Sequence, residues 1–590
     1  MSDAGLPSTP PLPPALWVSA ACVAVAFPTL LAFNLPPSST FLNQAAAFIG
    51  WGLWALLLAT SGITPGWPWR GALAGLLAVL AALGGAALAA PLWAGLPWSL
   101  ALSALGTLAA AALLVVIGAA LTRQGLAVAA VHALCVALLV AGTLGAAIGV
   151  VQVLAPQWAD GTLVAHTGLV GRAAGNLRQP NHLSSLLLWS LVALVWLAER
   201  QRVGWGWAAA AVLLIAGLVL SASRTGMLGV ALLALWGLLD ARLSRRSRWL
   251  LLLSPLVFAL LWAGVTEWSH HSAQVFGGEG QLARGDISSS RFAIWSDTLG
   301  LIARHPWLGV GWGEFNFAWT LTPFPHRPVA FFDHTHNLPL QFAVELGLPL
   351  AGLLLALLGW ALWRAFVAGR DGADSALASS LRAAFLIVLM MALHSQLEYP
   401  LWYAHFLLPT AFAFGLCLGA ERPAAPVRRA PPREPAGTRP LWLGAAMLLL
   451  GGGAAVYDYL RVVVIFAPSE QAAPLADRIA EGQRSWLFGH HGDYAAVTTP
   501  TGGQVPVLSE FERAPHYLLD SRLMMAWARA LEAAGDGQRA RHLARRLKEF
   551  HNDNSAEFFA ACAAPAASAA QGLPFQCEDP STVLDYRDFR

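Results

Sequence analysis

An all-α polytopic membrane protein with about 13 transmembrane helices is the fold class that the sequence predicts. Three observations carry it. Hydrophobic residues make up 57% of the 590 and charged residues only 12%, about half the roughly 25% charge of an ordinary soluble domain. Mean hydropathy is +0.56. Thirteen apolar runs approach the ~20 residues that a helix needs to cross a bilayer: 15–34, 42–61, 71–90, 98–122, 127–154, 183–198, 207–222, 225–239, 249–266, 341–364, 382–395, 400–419 and 441–460. This composition excludes a cytosolic enzyme and a disordered chain. The net charge of +3 leaves no polybasic footprint, so nucleic acid is not an expected partner.

The arginines orient the spans. Arg70, Arg123, Arg200, Arg202, the group Arg242, Arg245, Arg246 and Arg248, then Arg364, Arg370 and Arg382, and finally Arg422 to Arg439 occupy short connections. With the N-terminus inside, all of them fall in the cytoplasm, as the positive-inside rule requires. The N-terminus lacks the charged region and cleavage site of a signal peptide, so the first span is expected to be retained. Residues 203–241 join two basic loops that share a side. One tilted helix there would hold Arg224 in mid-membrane, which is costly. Two short spans turning at Ser221–Arg224 instead bring Arg224 to the outer face.

The domain organisation follows. Residues 1–419 form a transmembrane catalytic domain whose long outer loop is 267–340. A Pro- and Arg-rich cytoplasmic linker, 420–440, is expected to be disordered. The last span, 441–460, leads to an outer domain, 461–590. There Leu523, Trp527, Ala530 and Leu531, then Ala540, Leu543, Ala544 and Leu547, recur at helical spacing on either side of Gly535-Asp536-Gly537. That pattern is a helix–turn–helix of tetratricopeptide type. Cys22, Cys135 and Cys417 lie in apolar runs and are read as inert. Cys562 and Cys577 lie in the outer tail and are expected to form a disulfide.

Five constellations can carry chemistry. Gly171-Arg172-Ala173-Ala174-Gly175-Asn176-Leu177-Arg178-Gln179-Pro180-Asn181-His182 reads as a polar groove at the membrane surface, or as a plain loop with Asn181 as helix cap. In Ser221-Ala222-Ser223-Arg224 the arginine either snorkels or serves the site. Ser288-Ser289-Ser290-Arg291-Phe292-Ala293-Ile294-Trp295 opens an amphipathic helix, with Arg291 as a surface charge or a ligand. Asp333-His334-Thr335-His336-Asn337 offers a base, a phosphate donor or a helix cap. Two histidines two apart cannot share a helix face and have no companion ligands, so a metal is not expected. His394-Ser395-Gln396-Leu397-Glu398-Tyr399-Pro400-Leu401-Trp402-Tyr403 is an aromatic belt or a glycan-facing rim. The charge argument puts all five on one membrane face, which favours an outward-opening active site over five unrelated loops.

These residues resemble the O-antigen ligase superfamily, and more closely its protein-glycosylating branch, the pilin-type O-oligosaccharyltransferases. Arg224-x-x-x-Leu228 and His336-Asn337 followed by nine residues and Gly347 resemble the ligase patterns. Ser290-Arg291 with Trp295, and His305-Pro306-Trp307-Leu308-Gly309-Val310-Gly311, resemble its long-loop elements. Gly175 to His182 and Leu397 to Tyr403 resemble the protein-glycosylating branch specifically. The likeness covers roughly 150–420 and departs slightly at Leu350, where the ligases carry a small or aromatic residue.

The resemblance implies a GT-C-like fold in the bacterial inner membrane with its site facing the periplasm. It implies en bloc transfer of a preassembled glycan from undecaprenyl diphosphate to Ser or Thr of a pilin or other periplasmic protein, with membrane lipid around the site. No metal and no cofactor is expected, since no D-x-D signature lies outside. By the same resemblance His336, Arg224 and Arg291 are catalytic. Gln179, Arg178, Asn181, His182, Asn337, His394, Glu398, Tyr399 and Tyr403 bind substrate. Ligation to a lipid A core and glycan polymerisation share the chemistry with other acceptors. A lipid or polysaccharide transporter would place ionisable groups near the midplane, where His132 is one of few candidates. A non-catalytic scaffold whose tail recruits partners is the remaining class.

The charge map predicts that alkaline phosphatase fused after residues 165, 320 and 480 is active and after 245 and 430 inactive. Activity at 430 would reverse the topology beyond the twelfth span.

Overall fold

The computed structural model describes residues 12–64, 70–201, 204–272, 274–283, 286–328, 331–370, 375–420, 437–499, 505–563 and 573–590. Every regular element among them is helical. Among the described residues nine helices are long and apolar enough to cross a membrane: Phe41–Thr60, Gly71–Trp93, Trp98–Arg123, Ala127–Leu154, Pro180–Ala198, Arg245–His271, Leu348–Ala368, Ala376–His394 and Arg439–Phe466. Four shorter apolar helices, Pro14–Leu30, Trp205–Ser221, Arg224–Leu239 and Ala404–Gly419, fall on the remaining apolar runs. The chain is a multi-pass membrane protein. Most of the Pro- and Arg-rich linker, 421–436, lies outside the described residues.

The chain divides into two compact units. The first comprises Met1–Leu80, Ala109–Arg284 and Ala356–Ala454; the second comprises Ala81–Leu108, Gly285–Leu355 and Ala455–Arg590.

The first unit is built around the Pro180–Ala198 helix, which is buried from His182 to Leu197. Pro180 suits its first turn because no N–H is needed there. Gln179 caps it by accepting from the His182 N–H at 2.6 Å. Polar side chains inside the unit are satisfied by helix carbonyls. Trp189 Nε1 donates to Ile387 O at 2.9 Å, and Ser190 Oγ donates to Leu138 O at 2.7 Å. Small residues let backbones touch, as in other membrane bundles: a Cβ on Gly415 would lie 2.1 Å from Val115 O.

The expected break in 203–241 is present. The Trp205–Ser221 helix ends on Ala222, which is left-handed (φ 48°). Ser223 then caps the Arg224–Leu239 helix by accepting from the Gly226 N–H at 3.1 Å.

The second unit encloses the short Phe315–Leu321 helix, every residue of which is buried. The outer tail supplies much of the enclosure. Leu519 N donates to Asn316 Oδ1 at 2.7 Å, and His542 Nε2 lies 2.8 Å from Leu321 O. Arg327 pairs with Glu549 at 3.2 Å, and its guanidinium lies over Trp319 and Phe550, each at 4.9 Å. Buried His516 lies 2.7 Å from buried Glu314 and stacks on Phe317 at 4.3 Å.

The helical hairpin of the tail is Ser521–Ala533 with Gly537–Glu549, capped by Asp520 and Asp536. A further pair, Leu475–Gln483 and Gly489–Thr498, precedes it. These helices are shorter, and their apolar spacing carries no hairpin signal in the sequence. Cys562 and Cys577 are joined in a disulfide.

One apolar run behaves differently from its sequence expectation. Residues 341–364 do not form one span. The chain breaks between the Leu338–Leu346 and Leu348–Ala368 helices at Gly347 (φ 77°). Leu348 N donates to Pro306 O at 2.7 Å, so the break receives the 305–311 segment.

A Cβ on Gly347 would stand 2.2 Å from Trp307 O. Gly347→Ala therefore meets both a steric block and a left-handed backbone worth about 1–3 kcal/mol of strain. We expect a lower apparent melting temperature in detergent; an unchanged midpoint would contradict this packing.

Candidate active site

In the first unit, three of the five constellations meet through one chain of hydrogen bonds. Ser223 Oγ donates to Asn181 Oδ1 at 2.6 Å, and Asn181 Nδ2 donates to Glu398 Oε1 at 2.9 Å. The groove loop, the Arg224 turn and the 394–403 turn are thus one polar cluster. Ser184 Oγ lies 2.9 Å from Ser223 Oγ, and Ser185 Oγ lies 2.8 Å from His394 Nδ1. Buried His182 sets its ring edge against Tyr403 at 4.5 Å, and Tyr399 stacks on Tyr403 at 6.2 Å. Buried amides, hydroxyls and carboxylates demand partners, and here they find one another.

The loop before this helix is held from beneath. Gln152 Oε1 accepts from Ala174 N and Gly175 N at 3.0 and 2.8 Å. Buried Asn176 donates to Leu30 O and Leu163 O at 2.6 and 2.9 Å. Arg178 adopts a left-handed backbone (φ 58°) and donates to Ser39 O at 3.0 Å and to Ala32 O. Its guanidinium fastens this loop to the segment after the first helix. Gln179 likewise serves as a cap.

Arg224 stands at the first position of its helix. No hydrogen bond or ion pair engages its guanidinium among the described residues.

In the second unit, the other two constellations meet. Arg291 and Trp295 lie on the Asp286–Arg304 helix, whose inner face is Ile294, Asp297, Thr298 and Leu301. Trp295 Nε1 donates to Thr335 O at 2.9 Å. Thr335 N donates to Gln341 Oε1 at 2.8 Å, and Gln341 Nε2 donates to Glu345 Oε1 at 2.9 Å. Asn337 caps the Leu338–Leu346 helix by accepting from Leu340 N at 3.1 Å. His336 sits between these anchors with a left-handed backbone (φ 55°), and its ring meets Phe332 edge-on at 5.3 Å. A non-glycine residue held there is a strained position fixed by its surroundings.

Charge in this segment is strongly coupled. The Asp333 side chain is 46% exposed, and neighbouring His334 at 3.3 Å holds its carboxyl near 2. Burial opposes protonation of His334, and Asp333 nevertheless raises its pKa. Burial pushes the Glu345 carboxyl up to about 7, against the pull of His334 and of the Gly313 and Phe315 N–H groups. Among the described residues no group of three or more His, Cys, Asp or Glu is placed to hold a metal ion.

Several side chains in these clusters were not singled out from sequence. Ser223 is far from Asn181 in the chain and only the fold pairs them, whereas Glu345 meets Gln341 from the next turn of the same helix. Arg172 was noticed only as part of its loop; it donates through Nε to Ser221 O at 3.1 Å and through Nη2 to Ala222 O at 3.3 Å. His405, 2% exposed, lies beside His182, and its apolar surroundings in sequence gave no signal.

Comparison with known proteins finds three family matches. Residues 209–355 match a family described as O-antigen ligase. Residues 173–198 match one described as protein glycosylation ligase. Residues 382–564 match the C-terminal part of one described as virulence factor membrane-bound polymerase. A general O-oligosaccharyltransferase of Acinetobacter baylyi is 30% identical over 288 residues, 47% of this chain and 48% of that protein. A ComP-specific O-oligosaccharyltransferase of the same organism is 27% identical over 257 residues, 42% of this chain and 44% of that protein. The chain thus spans about half the length of each of these relatives.

The Glu345 carboxyl has a definite sign in stability. Its folded pKa, about 7, lies above the ordinary 4.5, so between these values the folded state binds more protons than the unfolded one. Stability from this group is full below about 4.5 and falls as pH rises through 7. Glu345→Gln removes the titration. We expect its melting temperature to drop less between pH 5 and 7.5 than that of the wild type; parallel curves would contradict the buried carboxyl.

Proposed function

We propose, for a chain that belongs to the O-antigen ligase superfamily, that it is an O-oligosaccharyltransferase of the bacterial inner membrane. It would transfer a preassembled glycan from undecaprenyl diphosphate to Ser or Thr of a pilin or another periplasmic protein. The observation that carries the reading is the Ser223–Asn181–Glu398 chain. It joins the segment matched to protein glycosylation ligases to Ser223, the residue before the arginine of the ligase-like turn. The names of the two Acinetobacter relatives point the same way.

The chemistry follows from the side chains. As the acceptor hydroxyl oxygen bonds to the anomeric carbon, the bond from that carbon to the diphosphate oxygen breaks, and the carrier diphosphate leaves with the electron pair. A Ser or Thr hydroxyl is a poor nucleophile, and an imidazole has a suitable pKa to take its proton; His336 has that role. Charge gathers on the departing diphosphate. Arginines offer planar, permanently charged contacts to phosphate oxygens, and stabilising developing charge is often the largest catalytic contribution. Arg224 and Arg291 have that role. Asn181, Glu398 and the Tyr399–Tyr403 pair offer the amide, carboxylate and ring faces that a glycan or acceptor peptide would bind. His182, His394, Gln179 and Arg178 hold these groups in place, and Asn337 caps the helix that follows His336.

The match of 209–355 to O-antigen ligases supports a second reading with the same chemistry and a lipid A core as acceptor. Purified protein given lipid-linked glycan with either a pilin or a lipid A core separates the two, and transfer to neither would sink both. His336→Ala should lose about 10²–10⁴ in rate at saturating donor and acceptor, while the protein remains monodisperse. His334→Ala should be milder. Retention of more than roughly a tenth of the rate by His336→Ala would remove the base assignment. Arg224→Lys keeps the charge but loses the fork, and its transfer should still fall sharply.

A further inference from the structure

Trp307 and Leu308 take part in none of the steps above, and they are 75% and 74% exposed on a segment whose backbone is fixed. Val310 N and Gly311 N donate to Val344 O and Glu345 O at 2.8 and 3.0 Å, and Leu348 N donates to Pro306 O. The segment thus closes onto the end of the Leu338–Leu346 helix, whose cap, Asn337, follows His336. It also meets the turn that joins the Gly71–Trp93 and Trp98–Arg123 helices. A Cβ on Gly311 would lie 2.7 Å from Ala94 Cβ, and one on Gly313 would lie 2.8 Å from Leu96 Cδ1. Arg590, bonded to Val310 O, sets its guanidinium 5.7 Å from the centre of the Trp93 ring. A backbone held this firmly keeps a tryptophan and a leucine turned outward.

We propose that Trp307 and Leu308 insert into bilayer phospholipid and anchor the helix that follows His336 at a fixed depth. Continuity with the membrane-crossing surface names lipid as the partner. Half-exposed Leu348 is the first residue of the Leu348–Ala368 span, and half-exposed Trp93 and Trp98 end one span and begin the next. The Trp307–Leu308 pair therefore stands among the ends of three apolar helices, where the chain leaves the bilayer. Tryptophan suits that border, because its ring is apolar and its N–H seeks a polar partner. Exposed Arg304 closes the Asp286–Arg304 helix just before the pair. A long cationic side chain beside an apolar pair can reach up to headgroup phosphates. Exposed apolar surface of this kind marks an interaction site rather than a solvated loop. The anchored helix has nine residues and, at 1.5 Å per residue, is about 14 Å long. Its anchored end thus limits how far the His336 turn can rise or sink. Trp307 acts as a positioning residue: it sets the height of the base against a lipid-borne diphosphate, a consequence that rests on the transferase reading.

The test places the full chain, carrying Cys22→Ser to remove the half-buried thiol, in phospholipid nanodiscs. A fluorophore is attached at Leu308→Cys or Trp307→Cys, with Ala533→Cys, exposed on the tail hairpin, as reference. Phospholipids bearing a nitroxide near the head of the acyl chain should quench both anchor labels several-fold more than the reference. Quenching equal to the reference overturns the insertion. Trp307→Ser should weaken quenching of the Leu308 label and Trp307→Phe should restore it; a label indifferent to both removes Trp307 as the anchor. Transfer is then measured with a polyprenyl-linked donor. In nanodiscs Trp307→Ser should lower kcat several-fold with donor KM unchanged, since misplacing a catalytic group costs rate rather than binding. The loss should be much smaller in detergent, where no bilayer sets a depth. An equal loss in both media reports damage to the fold and overturns the depth-setting role, as does an unchanged kcat in nanodiscs. Quenching is read without donor, so strong quenching in a protein without transferase activity leaves the anchor standing and removes the transferase reading.

Discussion

Where an apolar helix stops inside a membrane protein, its last carbonyls and first N–H groups cannot turn to water and have to be met by the protein itself. In the first unit this need falls at Ser221–Ser223. The left-handed Ala222 ends one helix, Ser223 begins the next, and Arg172 supplies donors to the carbonyls left over. Once Ser223 stands there, its hydroxyl also reaches Asn181, and Asn181 reaches Glu398. The polar end of the unit is thus a consequence of capping a broken helix. Groups that close the backbone also bring together the segments that carry the candidate chemistry.

The second unit meets a related constraint with different means. The segment leading to His336 contains little regular structure of its own, and its short Phe315–Leu321 helix is too brief to be stable alone. The tail supplies what it lacks. Asn316, Leu321 and Arg327 each bond to tail residues, and Phe331 stacks on Phe550 at 3.8 Å. Arg590, the last residue described, donates to Val310 O at 2.5 Å. A tail that looks like a separate domain in sequence is, in contact terms, the support of the loop that presents His336.

The charges of the two units differ in kind. Among the described residues no acidic side chain pairs with Arg172 or Arg224, and Arg172 is held by backbone carbonyls alone. Around Glu345, Asp333 and His334, a buried acid, a partly buried base and an exposed acid set one another's proton affinities. Coupled groups of this sort respond to pH as a set rather than singly. The Gln341 bridge passes from Glu345 to the Thr335 backbone, one residue before His336, so the protonation of a buried carboxyl and the geometry of the histidine turn share a hydrogen-bonded path.

Hydropathy alone determined the membrane class, because an apolar run of about 20 residues has few other stable uses. Arginine placement and the cost of a mid-membrane cation were enough to require the break at Ser221–Arg224. The disulfide between Cys562 and Cys577 followed from their place in a polar tail. Tertiary structure decided the rest. Residues 341–364 are mostly apolar, and hydropathy cannot see that Gly347 must turn to admit Trp307. Arg178 reads in sequence as a ligand and is seen in the fold bonded to the carbonyls of Ala32 and Ser39. Arg172 reads as one polar residue among several and proves to be fixed beside Arg224. The physical reason is common to all three. Chain composition reports which groups prefer to leave water, a property of each residue, whereas a hydrogen bond or ion pair is a property of two residues that only the folded chain brings within reach.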